Sequence, residues 1–130
     1  MLSEHLNYYQ VKNENSLSGS EKRKDPRRTV RWLLDGFNKD KIEFKGKTEN
    51  ISRSGLLLLV ESTYHDKFEI GGRLVLNIKT YYKSENRVIN CVVTIKHISY
   101  GTEGRKLGVE FIYISRENKE WLSKFSYKKI

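Results

Sequence analysis

Two groups of polar residues in the first half of the chain have types and spacing suited to binding an anion. Arg23 and Arg27 lie four positions apart, an R-x-x-x-R pattern, in the densest basic stretch of the chain. Asn50, Ser52 and Gly55 form an N-x-S-x-x-G pattern further along. A guanidinium can clamp phosphate oxygens with a planar fork or stack on a purine, whereas lysine supplies only charge. An amide or a hydroxyl can donate a hydrogen bond to phosphate, so both groups are of the type that binds an anionic ligand.

Each pattern also has a simpler interpretation. R-x-x-x-R occurs by chance in a chain this basic, and a second instance, Arg27 and Arg31, overlaps the first. Arg31 falls inside an alternating strand pattern, which makes it the poorer candidate. Pro26 lies within the basic stretch and lacks an N–H, so we predict an extended loop there and not a helix. The segment from Ser52 to Gly55 is also typical of a hairpin turn.

Residues able to perform catalysis or to bind a metal are few and dispersed. The three histidines, His5, His65 and His97, have no metal-ligand spacing. Cys91 falls on an apolar strand face, which favours a small buried hydrophobe over a nucleophile. Gly46-Lys47-Thr48 resembles the end of a phosphate-binding loop, but the first glycine of that motif is missing. We therefore predict a protein that is not an enzyme and that holds neither a metal nor a cofactor.

The composition predicts a single soluble domain with an anionic partner. The chain has 130 residues, with 25 Lys and Arg against 16 Asp and Glu, and a formal net charge of +9. This length suits one core, and an aromatic content of 12% argues against a disordered chain. No apolar run could span a membrane, and the start lacks a secretory signal, so a cytoplasmic location is expected. The charge favours nucleic acid, a nucleotide, an acidic protein or a membrane surface as partner.

Hydropathy that alternates with a period of two predicts the elements that must position these side chains. Six strands are expected, and no helix separates them, so the pairing should be antiparallel and should close into a small barrel. The predicted strands centre on residues 30–34, 42–44, 55–60, 74–78, 89–95 and 107–113. Turns are predicted at 36–40, 71–72 and 101–104.

The two ends of the chain differ from this pattern. Residues 1–21 are polar and are predicted to form a mobile arm, so that residues 22–130 make up the single domain. Ser115 is a plausible helix N-cap, and apolar residues follow it at helical spacing. We predict a terminal helix over about residues 116–126 that packs on the barrel.

The order of these features resembles the PilZ domain family, which comprises bacterial receptors for cyclic di-GMP. An R-x-x-x-R loop precedes the first strand, N-x-S-x-x-G follows a hairpin, and a late strand carries Leu107–Phe111 as LGVEF. The resemblance covers about residues 21–126 and implies a six-stranded antiparallel barrel with a ligand site at its surface. Family patterns of the type ERRxxPR align with Glu21–Arg27, so the arginine roles pass to Arg23 and Arg27.

The resemblance also implies how the ligand is bound. Arg23 is expected to contact a guanine edge and phosphate, and Arg27 to bind phosphate and stack on a purine. Asn50, Ser52 and Gly55 are expected to line the site, with Gly55 allowing the backbone to approach the ligand. Arg28 and Arg53 are plausible accessory contacts.

The implied function is that of a monomeric, non-catalytic receptor. Cyclic di-GMP would order the N-terminal loop, and the new surface would signal to a protein partner that the sequence does not identify. Two alternatives stay open. One is a PilZ-like protein adaptor that binds no nucleotide. The other is a small basic barrel that binds RNA or single-stranded DNA, with exposed tyrosines such as Tyr81 and Tyr82, although its charge is concentrated in one loop.

Overall fold

The computed structural model describes residues 8–10, 26–61 and 68–127, and of residues 8–10 only the backbone. This part of the chain forms one antiparallel sheet of eight strands followed by a helix. The predicted arm at 1–21, apart from Tyr8–Gln10, lies outside the described residues, and so does Arg23. The elements are β1 Tyr8–Gln10, β2 Arg28–Thr29, β3 Leu33–Asn38, β4 Glu43–Ile51, β5 Gly55–Val60, β6 Arg73–Tyr82, β7 Glu85–Gly101, β8 Gly104–Ser115 and α1 Arg116–Tyr127.

The six longer strands close into the predicted barrel. They follow the order β8-β5-β4-β3-β6-β7, and β7 pairs with β8 to complete the circle. Two short strands extend it, β1 along the end of β8 and β2 along the end of β4. Closure removes the exposed sheet edges that an open six-stranded sheet would leave. The prediction of a six-stranded antiparallel barrel is therefore confirmed.

Inward side chains of the barrel and one face of α1 share a single apolar core. The helix contributes Leu122 and Phe125, which are both buried, as expected from the helical spacing of its apolar residues. Its start is capped, since the Ser115 hydroxyl accepts a hydrogen bond from the Asn118 N–H at 3.0 Å. The observed helix differs from the predicted one by a single residue at its end.

The first predicted turn is placed differently in the structure. Gly36 belongs to the middle of β3, where an added Cβ would lie 2.2 Å from the Val75 carbonyl oxygen. The turn begins only after Asn38, whose side-chain oxygen accepts hydrogen bonds from Asp40 N at 2.9 Å and Ile42 N at 3.0 Å. The prediction of a turn at 36–40 is therefore wrong at its first residues, because Gly36 is a close-packing position and not a turn position.

The first predicted strand, centred on residues 30–34, is interrupted. Between β2 and β3 the backbone leaves the regular ladder, and Thr48 of β4 bridges the gap. Its buried hydroxyl donates to the Val30 carbonyl and accepts from the Trp32 N–H at 2.9 Å. The Thr48 N–H in turn donates to the Trp32 carbonyl at 2.9 Å. Residues 46–48 belong to β4 and pair with β5, so they form ordinary strand and not a phosphate-binding loop.

Thr48→Val tests this bridge at nearly constant shape. The substitution leaves the Trp32 N–H and the Val30 carbonyl without their hydroxyl partner, and a buried unpaired polar group costs about 1–3 kcal/mol. We expect the free energy of unfolding in urea to fall by about 2 kcal/mol. Thr29→Val, at an exposed position of β2, is the matched control and should change it by less than about 0.5 kcal/mol. Equal effects of the two substitutions would show that the bridge contributes nothing.

Candidate ligand-binding site

The structure brings the end of the basic stretch beside the N-x-S-x-x-G pattern. Strand β2 pairs with the end of β4, so that Arg28 lies opposite Ile51 and Thr29 opposite Asn50. Arg27 directly precedes β2 and Ser52 directly follows β4, so both residues leave the same end of this two-strand ladder. Arg27 is exposed there. Two segments that are distant in sequence thus present an arginine, an amide and a hydroxyl from neighbouring backbone positions.

A β-bulge lies directly before Asn50 and affects the direction of its side chain. The sequence pattern did not predict this bulge. Thr48 pairs with Leu58, but Asn50 pairs with Leu57, so β4 holds one extra residue, Glu49, at this point. Such a bulge bends the strand and redirects the side chains that follow it. The Glu49 carboxylate forms an ion pair with Arg31, in which a carboxylate oxygen lies 3.0 Å from Nη2. Arg31 is therefore engaged in an ion pair, in keeping with its low rank as a ligand residue.

Ser52 holds the turn that links β4 to β5. Its N–H donates to the Gly55 carbonyl at 2.9 Å, and its hydroxyl accepts from the Ser54 N–H at 3.2 Å. The hydroxyl oxygen also lies 3.3 Å from the Gly55 carbonyl oxygen, and the side chain is buried. These bonds fix the turn and leave Arg53 at its exposed corner. A ligand contact from Ser52 would have to replace one of them, and such a contact stays a prediction.

Gly55 is required by the packing of two strands. It lies opposite Glu110 in the β5–β8 ladder, and an added Cβ would sit 2.2 Å from the Val109 carbonyl oxygen. Any side chain at this position would push β5 away from β8. This requirement comes from the pairing of β5 with β8, whereas the expected approach of the Gly55 backbone to a ligand stays a prediction.

Arg28 contacts the protein itself, a role that the sequence did not reveal. Its guanidinium lies 4.3 Å from the centre of the Phe125 ring and 5.0 Å from that of Tyr82. It donates to the Phe125 carbonyl at 2.9 Å and to the Tyr82 hydroxyl at 3.3 Å. Cation–π contacts and a charged hydrogen bond together join β2 to α1. The suggested accessory contact of Arg28 with a ligand stays a prediction.

The aromatic residues beside Arg28 form a packed cluster. Phe125 lies 4.8 Å from Trp32 and 4.7 Å from Tyr82 between ring centres, and Trp121 stacks on it at 6.0 Å. Tyr82 is therefore partly buried, while Tyr81 is exposed. The expectation that both tyrosines are exposed is wrong for Tyr82, because Arg28 and Phe125 cover its ring.

The residues of catalytic type take ordinary structural positions. Cys91 is buried in the core, and burial raises the pKa of its thiol, so the group stays protonated. His97 is exposed on β7, and His5 and His65 lie outside the described residues. Within the described ranges no group of three or more His, Cys, Asp or Glu residues could hold a metal ion. No helix there is long and apolar enough to cross a membrane.

The barrel, its terminal helix and the basic segment beside N-x-S-x-x-G define a small β-barrel domain with a candidate ligand site. The PilZ domain model matches residues 21–128, and the chain therefore belongs to the PilZ domain family. This agrees with the resemblance found in the motifs. A sequence search of the curated proteins finds no match.

Solved structures show the same fold at low identity. The Bacillus subtilis inhibitor of motility, MotI/DgrA, superposes with a TM-score of 0.71 at 20% identity, covering 81% of this chain and 49% of that one. The PilZ domain of YcgR from Escherichia coli, solved with c-di-GMP, gives 0.66 at 14% identity and covers 82% and 89%. The K. pneumonia MrkH–c-di-GMP complex gives 0.59 at 12% identity and covers 91% and 60%. The chain thus spans about half the length of the Bacillus protein.

Proposed function

We propose that this protein is a non-catalytic receptor for cyclic di-GMP. Membership of the PilZ domain family supports the proposal, as do the c-di-GMP complexes of YcgR and MrkH among the proteins of similar fold. The observation that carries it for this chain is the β2–β4 register, which sets Arg28 opposite Ile51 and Thr29 opposite Asn50. This register supports the proposal because it sets the short strand that follows Arg27 beside the end of the strand that leads into Ser52.

The chemistry of the ligand fits the residue types. Cyclic di-GMP carries two phosphodiesters and two guanines, and a guanidinium can bond bidentately to guanine O6 and N7. In the proposal Arg23 binds a guanine edge and phosphate, while Arg27 binds phosphate and stacks on a purine. Asn50 supplies an amide at the same end of the β2–β4 ladder. The negative phosphodiesters of the ligand complement the positive charge of this basic segment.

The proposed signal is a new surface formed on binding. The ligand bonds to the loop that carries Arg23 and to the turn at Ser52–Gly55, and it orders that loop against the barrel. Arg28 already ties β2 to α1 through the Phe125 carbonyl at 2.9 Å. A change at the basic segment is thereby coupled to the helix, and a protein partner binds the altered surface. Differential affinity for the two states drives this coupling. We propose that the receptor acts as a cytoplasmic monomer.

Calorimetric titration with cyclic di-GMP tests the proposal. We expect saturable binding with a dissociation constant of about 10 μM or below, which corresponds to about −7 kcal/mol or stronger. GMP offers one guanine and one phosphate and should bind at least about tenfold more weakly, because half of the proposed contacts are lost. Absence of heat at about 50 μM cyclic di-GMP, confirmed by an unchanged melting temperature, would refute a receptor role.

A protein adaptor that ignores the nucleotide is the second candidate. Two observations favour it: the Ser52 hydroxyl is bonded within its own turn, and Arg28 is bonded to α1. The fold is also shared with the Bacillus subtilis inhibitor of motility. A partner whose affinity is unchanged by saturating cyclic di-GMP would support the adaptor. Steeply salt-dependent binding of generic oligonucleotides, without preference for the cyclic dinucleotide, would instead support a nucleic-acid-binding barrel.

A further inference from the structure

Three exposed apolar side chains lie close together on the outside of the barrel, on β3, β6 and β7. Leu33, Tyr81 and Val88 have exposed fractions of 65%, 59% and 56%. Leu33 lies opposite Lys79 in the β3–β6 ladder, and Lys79 lies opposite Val88 in the β6–β7 ladder. Tyr81 follows Lys79 by two positions, so these four side chains share one face of the sheet. Exposed apolar side chains grouped on neighbouring strands indicate an interaction surface.

The core of the barrel fixes the outward direction of this face. The residues that alternate with it, Leu34, Ile78 and Ile89, are buried. Because successive side chains of a strand point to opposite faces, the apolar group points away from the core. The Tyr81 carbonyl also accepts a hydrogen bond from the indole N–H of the buried Trp32 at 3.1 Å. The face is therefore held by the fold and is open to a partner.

Lysines alternate with the apolar side chains across four strands. Lys47 of β4 lies opposite Leu33, so one row across the sheet consists of Lys47, Leu33, Lys79 and Val88. Neighbouring strands are about 4.8 Å apart, so the row is about 14 Å wide. Lys45 lies on the same face two positions before Lys47, and both are exposed. Among the described residues, neither Lys45 nor Lys47 has an ion-pair partner. We call the six residues Leu33, Lys45, Lys47, Lys79, Tyr81 and Val88 the outer patch.

Carboxylates do not cancel the positive charge of the outer patch. Asp35 accepts a hydrogen bond from the Asn77 amide at 3.1 Å and lies 3.5 Å from the Lys79 ammonium, so these two charges compensate each other. Glu43 shares the outer face of β4 but precedes Lys47 by four residues, about 14 Å along the strand. The charges of Lys45 and Lys47 therefore favour an anionic partner.

The alternation of lysine with aliphatic side chains favours a lipid surface over a protein. The centres of protein–protein interfaces are depleted of lysine, whereas here Lys79 lies between Leu33 and Val88. At a bilayer surface the stem of a lysine can lie among apolar groups while its ammonium reaches a phosphate. Tyrosine is also enriched at the level of the headgroups. A row that contains both kinds of side chain thus matches a surface in which phosphates lie directly above hydrocarbon.

We propose that the outer patch binds the surface of an anionic lipid bilayer. Lys45 and Lys47 contact headgroup phosphates, while Leu33, Tyr81 and Val88 enter the boundary between headgroups and acyl chains. Apolar burial and attraction to anionic lipids together set the strength of such a contact. The inference does not rest on the proposed receptor function, because no residue of the outer patch belongs to the proposed cyclic di-GMP site.

The first test is sedimentation of the full chain with vesicles of phosphatidylcholine that contain about 30% phosphatidylglycerol. We expect binding at least about tenfold stronger than to pure phosphatidylcholine vesicles at about 0.1 M salt. Lys45→Gln/Lys47→Gln should bind the anionic vesicles at least about tenfold more weakly than the wild type. The control, Lys96→Gln/Lys124→Gln, removes the same charge from exposed lysines outside the outer patch and should bind within about threefold of wild type.

The second test compares two aliphatic residues of equal exposure. Leu33 is 65% exposed and lies in the outer patch, whereas Ile70 is 64% exposed and lies before the start of β6. Leu33→Ser should weaken binding to the anionic vesicles about fivefold, because it removes apolar area from the contact. Ile70→Ser should bind within about twofold of wild type. Melting curves of all variants report whether the fold is kept.

Three results would overturn the inference. If the wild-type protein stayed in solution with the anionic vesicles, an acidic protein would be the better candidate for this face. Equal losses in the two lysine double variants would show attraction by net charge alone. A dimer of the free protein that Leu33→Ser dissociates would assign the outer patch to a contact between two copies of the chain. All vesicle measurements are made without cyclic di-GMP, so their failure would leave the receptor proposal intact.

Discussion

Arg27→Ala is expected to weaken cyclic di-GMP binding by about a hundredfold. In the proposed site this side chain makes a phosphate contact and a stacking contact, and hydrogen bonds to charged groups contribute about 1.5–3 kcal/mol each. A loss of about 3 kcal/mol corresponds to that factor in the dissociation constant. Arg27 is exposed and directly precedes β2, so its removal should leave the melting temperature nearly unchanged. Calorimetric titration and a melting curve measure the two quantities.

Two further variants separate the causes of this loss. Arg27→Lys keeps the charge but removes the planar fork. We therefore expect its affinity for cyclic di-GMP to be no more than about a tenth of that of the wild type. Arg73→Ala is the matched control, because it removes an exposed arginine at the start of β6, and its affinity should stay within about twofold of wild type. If Arg27→Ala and Arg73→Ala bound equally well, Arg27 would not belong to the site. Arg23→Ala is expected to act like Arg27→Ala.

The barrel and the helix could be predicted from the sequence because each obeys a local rule. Alternating residues such as Leu74, Leu76 and Ile78 form an inward face, and all three are fully buried. Ser115 caps α1 through a bond between neighbouring turns, which needs only local sequence. Strands without intervening helices leave antiparallel pairing as the simple solution, and the circular order of β3 to β8 follows it.

The features missed by the sequence analysis depend on residues that are distant along the chain. From the sequence alone, Gly36 is interpreted as a turn residue. In the structure it lies beside β6, and the Val75 carbonyl oxygen occupies the space that a side chain would need. The bulge at Glu49 depends on how β4 pairs with β5. Such contacts arise from tertiary pairing, for which local propensity and periodicity carry no signal.

The candidate site could be predicted only in part, because its residues come from segments that are distant along the chain. The order of the arginine pattern and N-x-S-x-x-G suggested that they meet, and the β2–β4 register sets their neighbouring segments side by side. The function of Arg28 was not predictable, because its partners Tyr82 and Phe125 lie 54 and 97 positions away.

Gly55→Ala is expected to cause the largest loss of stability among the substitutions considered. The new Cβ would lie 2.2 Å from the Val109 carbonyl oxygen and 3.1 Å from the Glu110 Cα, and these are backbone atoms that cannot rotate away. The β5–β8 ladder must therefore separate locally. We expect the free energy of unfolding to fall by about 3 kcal/mol or more, with a melting temperature about 10–15 °C lower.

Gly101→Ala is the matched control for this effect. Its added Cβ would meet no atom closer than 3.8 Å, and its φ lies outside the positive range, so the change in stability should be within about 0.5 kcal/mol. The pair also separates two reasons for a glycine at 55. Gly55→Ala could have the same free energy of unfolding as the wild type but bind cyclic di-GMP more weakly. In that case the glycine would be required for ligand binding, and the packing explanation would be wrong. Loss of stability in urea, with Gly101→Ala unchanged, places the requirement in the contact between β5 and β8.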